Sequence, residues 1–375
     1  MTLITYLSRV HFADGVLEVA LSSELELNKR SRPLLVYEPD VVSNEFSERV
    51  IAGLPGCCKF STHGISANLS AQRVKTALAK SIRDTNSDSV IAFGSARALT
   101  LADACCRCPV SSDPLPAHAT ASDAPAGNKD LFAIPGVDGL PAMSMRRNDN
   151  GRTGGYGAGI QPTTVIIDPT LIVGESVDRT ASAIANALAR CLSEYFSESF
   201  NPPATGIAME GFNRIRRNLP SLVTEDTLDM RRELMAASLN GTLATLKESG
   251  IAHELSEILL RDSSRSVDKG ALMRLLITVE AELLERYWTK ERNNEIRDAF
   301  NVPAGTGLRD WLVSIMELLP LPGSFTELGF GSNQLAAAAK ELSVSKPAIV
   351  PSTQILSKML ASVEFNDCRM LAVSD

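Results

Sequence analysis

The feature that most limits the fold is a change of periodicity near Glu175. Upstream of it, short apolar runs alternate with amphipathic helical patterns; downstream, nearly every pattern is helical. Pro33–Tyr37 (PLLVY) and Ser89–Phe93 (SVIAF) read as buried strands, because each is a short apolar run bounded by polar or turn residues. Val41–Ala52 reads as a helix closing near Gly53, and Leu69–Ile82 as a helix with Val74, Leu78 and Ile82 on one stripe. Gly94 separates the second strand from a helix over Ala98–Cys106, and Leu131–Pro135 and Thr163–Asp168 supply two more strands. Strand, glycine turn, helix is the rhythm of a parallel sheet. Residues 109–128 carry four prolines and no periodicity, which predicts an exposed, mobile loop. Arg146–Gly159, rich in Gly, Asn and Arg, predicts a turn or hairpin.

The downstream helices are expected over Asp178–Phe200, Pro203–Asn218, Thr224–Ser249, Ile251–Leu260, Lys269–Thr289, Leu308–Leu318, Gly331–Leu342 and Thr353–Val363. At 375 residues the chain has room for two domains. They are placed at 1–174 (α/β, parallel sheet, dinucleotide-binding-like) and 175–375 (all-α), with the cleft between them as the default ligand site. A hydrophobic content of 44% can fill both cores. The net charge of −7 argues against nucleic acid as a partner, since phosphate neutralisation needs a basic face. No apolar run approaches a membrane span, so no membrane partner is expected.

Seven cysteines, an odd number with no secretory leader, point to reduced thiols and a cytoplasmic setting. The cluster Cys105-Cys106-x-Cys108 lacks a C-x2-C pair, and its cysteines point in different directions on a helix, so buried thiols are expected there. Histidines number only four, which leaves little for a histidine-rich metal site.

The order and spacing of several strings resemble the iron-dependent alcohol dehydrogenase superfamily, most of all its maleylacetate reductase-like branch. The strings are Ser89–Ala104 at the glycine loop, Ala133–Pro135, Val165–Leu171 (VIIDPTL), Thr180–Tyr195, Ala208–Pro220, Leu239–Leu259 and Ser324–Gly329. The resemblance implies a dehydroquinate synthase-like fold of the iron-dependent alcohol dehydrogenase type. In that family a Gly-Gly-Gly-Ser loop brings backbone amides to a dinucleotide pyrophosphate. Here the matching residues are Gly94, Ser95, Ala96 and Arg97, which are the weak cofactor-binding candidates. The second nucleotide loop matches Gly136–Pro141, where an inward-pointing Asp138 would repel pyrophosphate. NAD(P)H therefore stays open as a cofactor but is not favoured. The family's metal ligands match Asn186, Arg190, His253 and, fourteen residues beyond, Val267. Arginine cannot ligate a metal, so no metal is expected.

If the fold is right, Asn186, Arg190 and Ser193 form one polar stripe, and His253 and Glu257 form a second on a facing helix. Arg190 would hold an anionic or enolate oxygen, and His253 would act as general acid or base beside Glu257. Ser193 and His63 are the substrate-binding candidates; a buried Arg–Glu pair with a structural His253 is the plain alternative. His118 is read as solvated, His11 as structural, and Arg146, Arg147 and Arg152 as a solvated turn. The expected function is an enzyme acting without metal on a small molecule, by proton transfer, isomerisation, elimination or cyclisation. Two alternatives stand beside it: an NAD(P)H-dependent reductase similar to maleylacetate reductase, and an inactive paralogue with a binding role. A homodimer is left open.

Overall fold

The computed structural model of the chain describes residues 8–66, 69–106, 129–140, 162–197, 200–244, 250–261, 267–345, 352–363 and 365. The expected loop at 109–128 and hairpin at 146–159, with His118, Cys108, Arg146, Arg147 and Arg152, lie outside the described residues. Two compact units are present. One holds the described residues up to Gly174 together with Thr227–Met235; the other holds 175–226 and the residues from 236 onward.

The first unit is built on six parallel strands: β1 (Arg9–Phe12), β2 (Pro33–Tyr37), β3 (Ser61–Gly64), β4 (Ser89–Gly94), β5 (Asp130–Pro135) and β6 (Thr164–Ile167). Their order across the sheet is β1-β6-β5-β4-β2-β3. Alternating side chains load both faces. On one face Leu35, Ile91, Phe93, Phe132, Ile134 and Ile166 pack under α1 (Leu17–Leu27) and α2 (Asn44–Ala52), through Leu17, Leu21, Leu25, Phe46 and Val50. Helices α3 (Ala71–Asp84) and α4 (Ala96–Cys106) pack together, and α4 lies against β2, β4 and β5. Cys105 and Cys106 are buried thiols on α4.

Two strands escape the periodicity. In β1 (RVHF) two residues are exposed and two partly so, and β3 (STHG) alternates half-buried with exposed. Both are sheet edges, so neither needs an apolar run. Helix α1 also goes unread from the sequence.

The second unit is helical: α5 (Val177–Phe196), α6 (Pro202–Thr224), the later part of α7 (Leu228–Ala244), α8 (Ile251–Arg261), α9 (Lys269–Tyr287), α10 (Lys290–Phe300), α11 (Leu308–Met316), α12 (Ser332–Ser345) and α13 (Thr353–Ala361). Helix α9 is buried on every side from Gly270 to Ala281, and α5 packs against it and against α6. The guanidinium of Arg274, in the middle of α9, donates to the carbonyls of Met316, Leu319, Leu321 and Pro322 and stacks on Phe365. Rings of Phe196, Phe212, Phe300, Trp288 and Trp311 form a second knot of the core. Helix α6 runs through Pro220 to Thr224, past the end expected at Asn218. Helix α10 was not expected, because only Ile296 and Phe300 of its eleven residues are buried.

Candidate active site

In the first unit the strand order singles out one place. The chain moves outward from β2 to β3, then returns to the other side of β2 to form β4. The carboxyl ends of β2 and β4 therefore flank a topological switch point, where open parallel sheets bind their ligands. Tyr37 and Phe93, the penultimate contact of these strands, stack at 4.9 Å. Gly94 follows with φ +90°, and a Cβ there would lie 2.3 Å from Val42 Cγ2. Only glycine makes this turn. Gly136, at the end of β5, closes onto it by donating its N–H to the Gly94 carbonyl at 2.7 Å.

Past the glycine, Ser95 caps α4 by accepting from the N–H of Ala98 at 3.1 Å. Its hydroxyl also donates to Glu38, the residue just beyond β2, and Arg97 donates to the other oxygen of the same carboxylate. Arg97 is braced by the carbonyl of Leu69 at 2.9 Å. Glu38 is buried. The sequence pointed to Gly94, Ser95, Ala96 and Arg97, and the structure gathers them; it adds Glu38, which sequence reasoning passed over. An acidic residue directly after an apolar strand was the available signal. Asp138 lies half-buried on the Gly136–Gly139 turn. His63 is not at this point: it sits within edge strand β3, its Nδ1 2.8 Å from Ser81 Oγ on α3.

In the second unit the candidates fall on α5, α8 and the start of α9. Ser182, Asn186 and Arg190 recur every fourth residue of α5 and so share one face. Arg190 is buried and donates to Thr242 Oγ1 at 3.1 Å. Burial pulls its pKa down, while Glu257 on α8 pulls it back up. The amide oxygen of Asn186 is shut off from solvent and has no donor among the described residues. Ser193 has a structural tie: its hydroxyl donates at 2.8 Å to Glu280, whose carboxylate accepts the first N–H groups of α8, from Ile251 and Ala252. His253 is half-buried one turn before Glu257 on α8.

The start of α9 adds Lys269 to this group. Its ammonium lies 3.4 Å from Glu257. Spacing alone picked Val267; two residues on, an Asp-Lys-Gly string sets the geometry. Asp268 caps α9 by accepting from Ala271 N at 2.8 Å and accepts the Ser182 hydroxyl at 2.6 Å. Gly270 lets α9 press on α5, since a Cβ there would stand 1.9 Å from the Ser182 carbonyl oxygen. Lys269 is thus clamped on both sides against α5. Desolvation by the surrounding protein pushes its pKa below the usual amine range, and Arg190 pushes the same way while Glu257 opposes both. The side chain nevertheless keeps 36% of its surface exposed.

These residues do not fit a divalent metal. Two of the groups that converge, Arg190 and Lys269, are cations with no lone pair to give in their charged forms. Among the described residues no group of three His, Cys, Asp or Glu side chains is placed to hold a metal ion. The switch point does fit a dinucleotide. Gly94 removes bulk, the N–H groups of Ala96 and Arg97 open α4, and a carboxylate stands at the end of the neighbouring strand.

No protein-family model matches the chain. It is 26% identical over 348 residues to the 4-hydroxybutyrate dehydrogenase of Cupriavidus necator, a match covering 88% of this chain and 90% of that one. In fold it is similar to the maleylacetate reductase of Rhizobium sp. strain MTP-10005, with a TM-score of 0.73 at 19% identity over 97% of both chains. An iron-containing alcohol dehydrogenase of Corynebacterium glutamicum gives 0.71 at 18% identity, over 98% of both chains. A sulfoacetaldehyde reductase of Bifidobacterium kashiwanohense, solved in complex with NAD+, gives 0.75 at 17% identity, covering 97% of this chain and 99% of that one. The architecture is the iron-containing alcohol dehydrogenase fold. Within that group the chain resembles the maleylacetate reductases and their dehydrogenase relatives. The expectation of non-redox chemistry gives way here: the relatives are dehydrogenases and reductases. No helix of the described residues is long and apolar enough to cross a membrane.

Proposed function

We propose that this chain is a nicotinamide-dependent reductase that interconverts a small carbonyl compound bearing an acidic group with its alcohol, and does so without a divalent metal. The observation that carries the reading is the switch point, where Glu38, Gly94 and Ser95 stand together. A reduced nicotinamide dinucleotide, when bound, supplies the hydride. Glu38 would accept hydrogen bonds from ribose hydroxyls in addition to those it takes from Ser95 and Arg97, and its charge would repel a 2′-phosphate, so NADH is preferred to NADPH. Gly94 and the first amides of α4 give the pyrophosphate an approach free of side-chain bulk.

The substrate class is supported by the relatives. 4-Hydroxybutyrate, maleylacetate and sulfoacetaldehyde, which their names carry, are all small molecules with an acid group. The absence of metal from the mechanism is supported by the occupants of the polar face of α5. Arg190 there presents a fixed positive charge in a buried setting, where charge acts on a developing oxyanion more strongly than in water.

Fluorescence titration with NADH and NADPH tests the reading, followed by assay with 4-hydroxybutyrate and NAD+. Micromolar NADH binding, weaker NADPH binding and chelator-resistant turnover are the expected results. Absence of binding of either nucleotide would refute it.

A further inference from the structure

Lys269, at the start of α9, is a charged group that faces α5 and keeps part of its surface exposed, and nothing in the resemblance assigns it a role. Its placement follows from its neighbours. Asp268 is bonded to Ser182 on α5, and Glu257, the partner of Lys269, also bears on Arg190. Ser182 and Arg190 are eight residues apart, about 12 Å along the helix. Lys269 therefore lies against the stretch of α5 between Ser182 and Arg190, which carries Asn186. Glu257 is the only partner of the ammonium among the described residues. A lysine carries three N–H donors, so at least one remains for a ligand. On that stretch the amide oxygen of Asn186 is a buried acceptor with nothing donating to it among the described residues. A donor with capacity and an acceptor without a donor, on the same stretch of α5, match the two needs of one oxygen: a carbonyl oxygen accepts, and the hydroxyl it becomes donates.

We infer that Lys269 is the proton donor of the carbonyl-to-alcohol step, with Glu257 as its positioning residue and Asn186 receiving the hydroxyl of the product alcohol. This rests on the reductase reading above. In the reducing direction the carbonyl oxygen accepts an N–H from Lys269. Hydride from the reduced nicotinamide forms the new C–H bond, the C=O π pair moves onto oxygen, and the oxygen takes a proton from the ammonium. The nicotinamide leaves oxidised and Lys269 leaves as the neutral amine, which solvent reprotonates through its exposed surface. In the oxidising direction the neutral amine takes the proton from the alcohol, and hydride departs to the oxidised nicotinamide. The downward pull of burial and of Arg190 on the amine makes the proton easier to give. Arginine at this place would keep the charge but could not release a proton near neutral pH.

The experiment uses the full chain as wild type, Lys269→Met and Lys269→Arg. Each is assayed with 4-hydroxybutyrate and NAD+, and with the aldehyde formed by oxidation at C4 and NADH. Lys269→Met is expected to lower kcat by about a hundredfold or more while leaving NADH affinity and melting temperature unchanged. Lys269→Arg should keep KM without restoring kcat, and added methylamine should recover part of the activity of Lys269→Met. Near-wild-type kcat in Lys269→Met, or full activity in Lys269→Arg, would overturn the assignment. A parallel reading needs no turnover: mass spectrometry follows labelling of Lys269 by formaldehyde and cyanoborohydride, with and without 4-hydroxybutyrate. Protection of Lys269 by the alcohol supports the site, and equal labelling refutes it. Wild type that binds no nicotinamide while Lys269 is still protected would sink the reductase reading and leave the oxygen site standing.

Discussion

The switch point and the α5 face solve opposite electrostatic problems with the same device. At the switch point one buried carboxylate, Glu38, is held by a hydroxyl and a guanidinium. At the α5 face two cations, Arg190 on α5 and Lys269 on α9, share the field of Glu257. In both, a glycine brings backbone to within contact of its neighbour: Gly94 against Val42, Gly270 against Ser182. The difference lies in what fixes the charges. Glu38 and Gly94 close adjacent strands of one sheet, so hydrogen-bonded register sets their separation. Arg190, Glu257 and Lys269 come from three helices, so only side-chain packing does. Sheet-built sites tolerate loss of a side chain; helix-built ones depend on how closely the helices approach.

Gly270→Ala should expose that dependence most sharply. Its methyl cannot fit against the Ser182 carbonyl, so α9 must withdraw, at a cost of about 3 kcal/mol or more. A marked fall in melting temperature and loss of turnover are expected, with NADH affinity retained; retained turnover would show that the α5 face does not rely on close approach. Next come the charges themselves. Glu257→Gln leaves Arg190 and Lys269 without the carboxylate they share and should destabilise by about 1–3 kcal/mol in a denaturant titration. Arg190→Met leaves the Glu257–Lys269 pair intact and should change stability less, while turnover falls. The reverse order of stabilities would make Arg190, not Glu257, the anchor of the cluster.

Glu38→Ser tests the sheet side. NADH should bind about tenfold more weakly, a loss of about 1.4 kcal/mol, and the preference over NADPH should shrink or invert. Folding should be little altered, and a large fall in melting temperature would show that the switch point is as packing-dependent as α5. The smallest effect is expected at His63. Desolvation lowers its pKa in the fold, so the unfolded chain binds its proton more readily. Its contribution therefore weakens as pH falls through the unfolded value near 6.5 toward the lower folded one. His63→Gln should flatten the pH dependence of stability in that window and leave NADH binding as it is. A change in substrate KM would instead give His63 the binding role the sequence suggested.

Much of the fold was legible because hydrophobic periodicity reports burial directly. The runs PLLVY and SVIAF are central strands buried on both faces, and Val74, Leu78 and Ile82 do line the buried side of α3. Edge strands β1 and β3 and the mostly exposed α10 failed because burial does not mark them, while α1 was passed over although Leu17, Leu21 and Leu25 bury one of its faces. Arg190 was found through resemblance, not pattern, since a buried arginine looks like a surface one in a sequence. Ser193 was found on the same stripe, but its partner Glu280, eighty-seven residues away, gives it a structural tie that no local pattern contains.

By itself the sequence determined the two regimes of the chain and the glycine turn after SVIAF, because both depend on residue identity and short-range spacing. Tertiary structure alone decided which residues meet. It put Glu38 beside Ser95 through strand order, and it put Lys269 with Glu257, because the cap at Asp268 and the bare backbone of Gly270 set where α9 begins and how near it lies to α5. Distances between helices depend on what lies between them, and no residue states that alone.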